Sequence, residues 1–155
     1  MLDTVGGLPV HPLVVHAVVV LLPLAVLGSI AVAVRPTWRA RYAGLNALVA
    51  VVGTALCPVA TSSGETLEHR VGDPGAHAEL GDQLLWFALP MALLAVALWW
   101  TQRRRTVRGT GVLAVLTVVA AVAAGVQVYR VGDSGAQAVW ADQMTASPAQ
   151  SGDGD

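Results

Sequence analysis

Four stretches of this sequence contain no Asp, Glu, Lys or Arg. They run for 31 residues between Asp3 and Arg35, 23 between Arg41 and Glu65, 20 between Asp82 and Arg103, and 21 between Arg108 and Arg130. A hydrocarbon core about 30 Å thick takes roughly 20 apolar residues of helix to cross. The gaps therefore predict four membrane spans, near 10–34, 42–62, 82–102 and 110–130. Backbone polar groups in lipid are satisfied only within helices or closed barrels, and none of these runs alternates as barrel strands do. The expected fold is all-α, a four-helix transmembrane bundle. Charged residues make up 12% of the 155, against about 25% in soluble domains. That deficit argues against an ordinary soluble enzyme, a disordered chain or a nucleic-acid binder.

The charges that remain are sorted by sign. All nine basic residues are arginine, and Arg35, Arg39, Arg41, Arg103, Arg104, Arg105 and Arg108 fall in the first and third connections. Short loops rich in Lys and Arg stay cytoplasmic. The ten acidic residues lie at the N-terminus, in the second connection or after the fourth span. The expected location is the inner cell membrane, crossed four times, with both termini and the 63–81 loop outside. Trp38, Tyr42, Trp99 and Trp100 would then sit at the inner interface, and Trp86, Tyr129 and Trp140 near the outer one, as an aromatic belt. The first run reads as a span rather than a signal peptide, because Met1–Val5 carries Asp3 and no positive charge and the apolar run is too long. The single cysteine, Cys57, argues against an internal disulfide, a CxxC pair and covalent CxxCH haem attachment.

The chain also repeats itself. Residues 70–83 (RVGDPGAHAELGDQ) and 130–143 (RVGDSGAQAVWADQ) agree at nine of fourteen positions. Weaker correspondences set His11 against His77, Pro23 against Pro90 and Arg35 against Arg103. The reading is two repeated helical hairpins related by an axis along the membrane normal. Gly72 and Gly132 would let the chain turn, Asp73 and Asp133 would each cap a new helix, and Pro74 would occupy its first position. Residues 1–131 then form the transmembrane domain, 132–144 a short outer-surface helix, and 145–155 a disordered acidic tail.

All four histidines, His11, His16, His69 and His77, lie towards the outer end. His16 falls about six residues, or roughly 9 Å, inside the first span, where an ionisable group is expected to face the bundle interior. A neutral histidine bound to a carbonyl or hydroxyl is the plainer alternative. His11 and His16 are five apart, about 140° around a helix, so a regular helix cannot aim both at one point; a helix starting at Pro12 would relax this. Two cofactor arrangements follow. One is b-type haem held between helices by His77 with His16, or with His11 in its place. The other is a divalent metal bound by Glu65, Glu68, His69 and His77 at the outer face. Gln137 stands where the repeat would repeat His77, so either site is built once. No acidic residue lies inside a span, which argues against a pump or channel.

Gly7-Leu8-Pro9-Val10-His11-Pro12-Leu13-Val14-Val15-His16, the stretch Leu21-Leu22-Pro23-Leu24-Ala25, Ser63-Gly64-Glu65 and His77-Ala78-Glu79-Leu80-Gly81 together resemble the bacterial membrane family called domain of unknown function 2231, over roughly residues 5 to 130. The resemblance implies a four-helix inner-membrane protein of unassigned activity and draws interest to His11, His16, Glu65 and His77. Family members that look like fusions to c-type cytochrome modules would fit a redox role. The expected function is haem binding and electron transfer, with a redox partner or a second copy of the chain as companions besides the bilayer. A scaffold without any cofactor is the rival. No nucleophile–base pair suggests an enzyme beyond a redox component.

Overall fold

The computed structural model describes residues 4–5, 8–71, 75–105 and 108–145. A two-residue antiparallel pair, Thr4–Val5 against Leu8–Pro9, precedes four helices. These are α1 (Val10–Val34), α2 (Pro36–Val71), α3 (Ala76–Arg103) and α4 (Thr110–Thr145). All four are long and apolar enough to cross a membrane, so the chain is an integral membrane protein with a four-helix body. Sequence neighbours pack together and α4 closes on α1, while α1 and α3 meet only lightly across the diagonal. The arrangement is an up-down-up-down bundle with short connections.

The connections explain themselves locally. Only Arg35 separates α1 from α2, and Pro36 takes the first position of α2, where its fixed φ suits the helix and its missing N–H is no loss. Arg39 donates from Nε to the Val32 carbonyl at 2.9 Å and from its terminal nitrogen to the Ala33 carbonyl. It thereby satisfies carbonyls at the end of α1 that have no partner within the helix. At the other end of the bundle, α3 begins at Ala76 behind Gly75, whose φ of 60° and ψ of −126° suit glycine alone. The expected cap at Asp73 and first position at Pro74 lie outside the described residues, and the start of α3 falls after both.

One expectation is corrected. The segment 132–144 is not a separate surface helix, because α4 runs unbroken through Gly132 and Asp133 to Thr145. Within the turn sequence itself, RVGDPG against RVGDSG, the difference is one residue, Ser134 in place of Pro74. Proline removes a backbone donor and clashes with the carbonyl four residues earlier; serine does neither, and glycine alone does not stop a helix supported on both sides. Apart from Thr145, the expected tail lies outside the described residues.

The interior is built from small side chains. Ala25, Ala50, Ala88, Ala95, Ala121 and Ala124 are buried, with Leu22 and Met91 as the larger fillers. Lipid tails are as apolar as leucine, so helices in a bilayer are held by close packing and hydrogen bonds rather than by exclusion of water, and small residues let them approach. Buried polar groups tie neighbours together: Asn46 Nδ2 donates to Ser29 Oγ, Thr54 to the Ala88 carbonyl, and Gln127 Nε2 to the Leu80 carbonyl. Larger apolar residues such as Leu27, Leu48, Leu93 and Val119 point outwards. Trp86 and Tyr129 are exposed towards the end carrying the histidines, and Trp38, Tyr42 and Trp100 towards the end carrying the arginines, as an aromatic belt requires.

Candidate functional site

Helices of 36 residues, as α2 and α4 are, span about 54 Å, well beyond a hydrocarbon core of about 30 Å. Both start at the arginine end, so their surplus length stands beside the beginnings of α1 and α3. His11 occupies the second position of α1 and His77 the second position of α3. Each histidine is half-buried against the overhanging part of the following helix.

The two seats correspond atom for atom. His11 Nδ1 lies 2.9 Å from the Ala60 carbonyl oxygen and 3.3 Å from Ser63 Oγ. His77 Nδ1 lies 3.1 Å from the Val131 carbonyl oxygen and 3.3 Å from Ser134 Oγ. Ser63 donates its own hydroxyl to Ala60, and Ser134 to Val131, each at 3.0 Å. The carbonyl can only accept, and each serine proton is already used on it, so the network places an imidazole proton on Nδ1; the neutral tautomer with that proton carries its lone pair on Nε2. A glycine follows each serine. A Cβ on Gly64 would come within 3.0 Å of His11 Cε1, and one on Gly135 within 3.0 Å of His77 Cε1. The bare backbone of a Ser-Gly pair is what lets each ring lie against the helix wall.

Both imidazoles line the same two cavities. The outer one, about 550 Å³, is also bordered by Glu65, Glu68, Glu79 and Asp82. The inner one, about 370 Å³, is apolar, with Val15, Val18, Cys57, Leu84 and Val128 in its walls. His11 and His77 therefore stand where a carboxylate-rimmed mouth meets an apolar chamber. Two imidazoles from different helices thus border one shared space, polar on its outer side and apolar on its inner side.

The other sequence-derived candidates fall differently. His16 is exposed on the outer surface of α1, its Nδ1 hydrogen-bonded to the Pro12 carbonyl one turn back, so the expectation that it turns inwards is overturned. The helix starts at Val10 rather than Pro12, which makes His11 and His16 both helical; at five residues' separation only one can face inwards, and it is His11. Pro12 is tolerated because it stands in the first turn, whose N–H groups have no partner in the helix. Glu65 and Glu68, expected in the 63–81 loop, lie instead on the part of α2 that continues outwards, and border the outer cavity with His77. The side chain of His69 lies outside the described residues, and among the described residues no three His, Cys, Asp or Glu side chains converge closely enough to hold a metal ion. Sequence reasoning missed Ser134 and Gly135 as the counterparts of Ser63 and Gly64. The signal was present as a second Ser-Gly pair, obscured because the stronger RVGD correspondence matched Gly135 with Gly75 instead.

A family model described as predicted membrane protein (DUF2231) matches residues 7–148 of the chain. No curated protein and no solved structure matches it. The matched region includes both histidine seats and all four helices.

Proposed function

The chain belongs to the DUF2231 family of predicted membrane proteins, and from that premise we propose that it binds one b-type haem through His11 and His77 and passes electrons across the outer end of the bundle. The observation that carries the reading is the pair of matched seats: two imidazoles on different helices, each with Nδ1–H held by a backbone carbonyl and Nε2 left to coordinate, bordering one shared space. A carbonyl on the far side of a ligating histidine fixes its tautomer and raises its basicity. His11 and His77, from different helices, would be the residues holding such a group, and a pair of imidazole ligands would suit electron transfer rather than oxygen chemistry. A bound haem would supply one-electron chemistry; Ala60, Ser63, Val131 and Ser134 would orient the two histidines, and Val15, Val18 and Leu84 would keep the inner cavity dry. Glu65, Glu68, Glu79 and Asp82 border the mouth and, as carboxylates, would favour the more positive, oxidised state of a metal held there.

In the same reading the arginine end faces the cytoplasm, because four arginines occupy the short 103–108 connection and three the first, and a redox partner meets the opposite end. The test is the visible spectrum of the protein purified in detergent after expression with added haem precursor. The reading expects a Soret band and, after dithionite, sharp α and β bands of a six-coordinate haem. A colourless protein that also fails to take up added haemin would leave the rival, in which the histidines serve only to pin helix ends to their neighbours.

A further inference from the structure

At the arginine end, far from the histidine seats, α1 and α2 enclose a second kind of feature. A groove of about 420 Å³ opens on the lipid-facing side of this hairpin, walled by Leu24 and Gly28 of α1 and by Leu45 and Val49 of α2, with Trp38 and Tyr42 at its mouth. At Gly28 the Asn46 side chain lies against the bare backbone and forms part of the groove wall. The rings at the mouth carry fixed charge: the Arg35 guanidinium lies 4.9 Å from the centre of the Trp38 ring, and that of Arg41 5.5 Å from the Tyr42 ring. Trp38 and Tyr42 are themselves packed edge to face at 6.2 Å. Both arginines are exposed, and the nearest acidic residue along α2, Glu65, lies towards the opposite end of that helix. Arg39 differs, its guanidinium being spent on the carbonyls of Val32 and Ala33.

We propose that this groove binds one anionic phospholipid from the leaflet at the arginine end, an acyl chain lying between Leu24 and Leu45 and the phosphate lying between Arg35 and Arg41. An apolar slot that opens to lipid fits a hydrocarbon chain, and two guanidiniums held over aromatic rings, with no carboxylate partner among the described residues, fit a phosphate. Charge complementarity selects the anionic lipid over a zwitterionic one. The second hairpin shows the same stacking, Arg103 on Trp99 and Arg104 on Trp100, but Trp99 is turned into the bundle against Gly44, within 2.9 Å of where a Cβ would stand. Arg103 and Arg104 therefore supply a control pair of equal charge to Arg35 and Arg41.

The experiment is native mass spectrometry of the detergent-purified protein with equimolar palmitoyl-oleoyl phosphatidylglycerol and phosphatidylcholine. The wild type is expected to keep one phosphatidylglycerol in clear preference to phosphatidylcholine. If each arginine facing the phosphate contributes about 1 kcal/mol, or roughly fivefold, Arg35→Gln/Arg41→Gln loses about 30-fold, whereas Arg103→Gln/Arg104→Gln, which lies outside the groove, stays near the wild type. Leu24→Trp fills the slot from the lipid-facing side and is expected to expel the lipid with no change of charge. Equal retention of the two lipids by the wild type overturns the proposal without recourse to any variant. Equal losses in the two arginine pairs overturn it as well, since they would show a diffuse field rather than a site.

Discussion

Gly28 and Asn46 compete for one small volume between α1 and α2. A Cβ on Gly28 would stand 2.1 Å from Asn46 Oδ1, and Asn46 is held there by its bond to Ser29. Gly28→Ala is therefore expected to cost about 1–3 kcal/mol, the usual range for overpacking, read as a lowered unfolding midpoint in detergent. Asn46→Ala removes the obstruction and forfeits a membrane hydrogen bond averaging about 0.6 kcal/mol, so the double variant is expected to be more stable than Gly28→Ala alone. At the functional end the same logic applies to Gly64. Its leucine variant would push His11 off the Ala60 carbonyl, and disturbing a ligand's outer partner typically weakens metal affinity about 10–100-fold. Gly111→Leu, where a Cβ meets nothing within 4 Å, is expected to leave haem titrations unchanged. That His11 rather than His16 turns inwards was beyond the sequence, because charge and hydropathy place a residue along a helix but not around it when all faces are apolar.

The elements were legible to different degrees. Spans follow from charge-free runs, and α1, α3 and the beginning of α4 lie close to their expected limits. The overhangs of α2 and α4 were hidden, because polar sequence outside the bilayer carries no length constraint and Gly132 read as a break. The structure makes Ser134 decisive: with proline there, α4 should end near residue 133, as the RVGDPG copy does not continue as one helix from α2 to α3. Ser134→Pro is expected to destabilise by about 3 kcal/mol and to remove the serine contact of His77. Circular dichroism should report the lost helix, and limited proteolysis should cut after residue 133 in the variant but not in the wild type. The repeat itself was read through its most conspicuous strings, 70–83 and 130–143, whereas the contacts relate His11 to His77 and Ser63-Gly64 to Ser134-Gly135.

At the scale of the whole molecule the bundle is polarised, with imidazoles and carboxylates at one end and stacked arginines at the other. The proposed orientation is checked in cells with Cys57→Ala as background: a membrane-impermeant maleimide should label Glu68→Cys on intact cells and Arg108→Cys only after lysis. Labelling in the reverse order would invert the bundle. The fold class needed nothing more than the charge pattern, since four oily helices with short connections have few ways to pack. The site needed coordinates, since it depends on how two helices rotate towards one space. Its most direct test is the haem spectrum of three single variants, His11→Ala, His16→Ala and His77→Ala, purified side by side with the wild type. The account predicts a six-coordinate spectrum retained in full by His16→Ala and abolished or converted to a five-coordinate form by each of the other two. An unaltered spectrum in His11→Ala or His77→Ala, or its loss in His16→Ala alone, would contradict it.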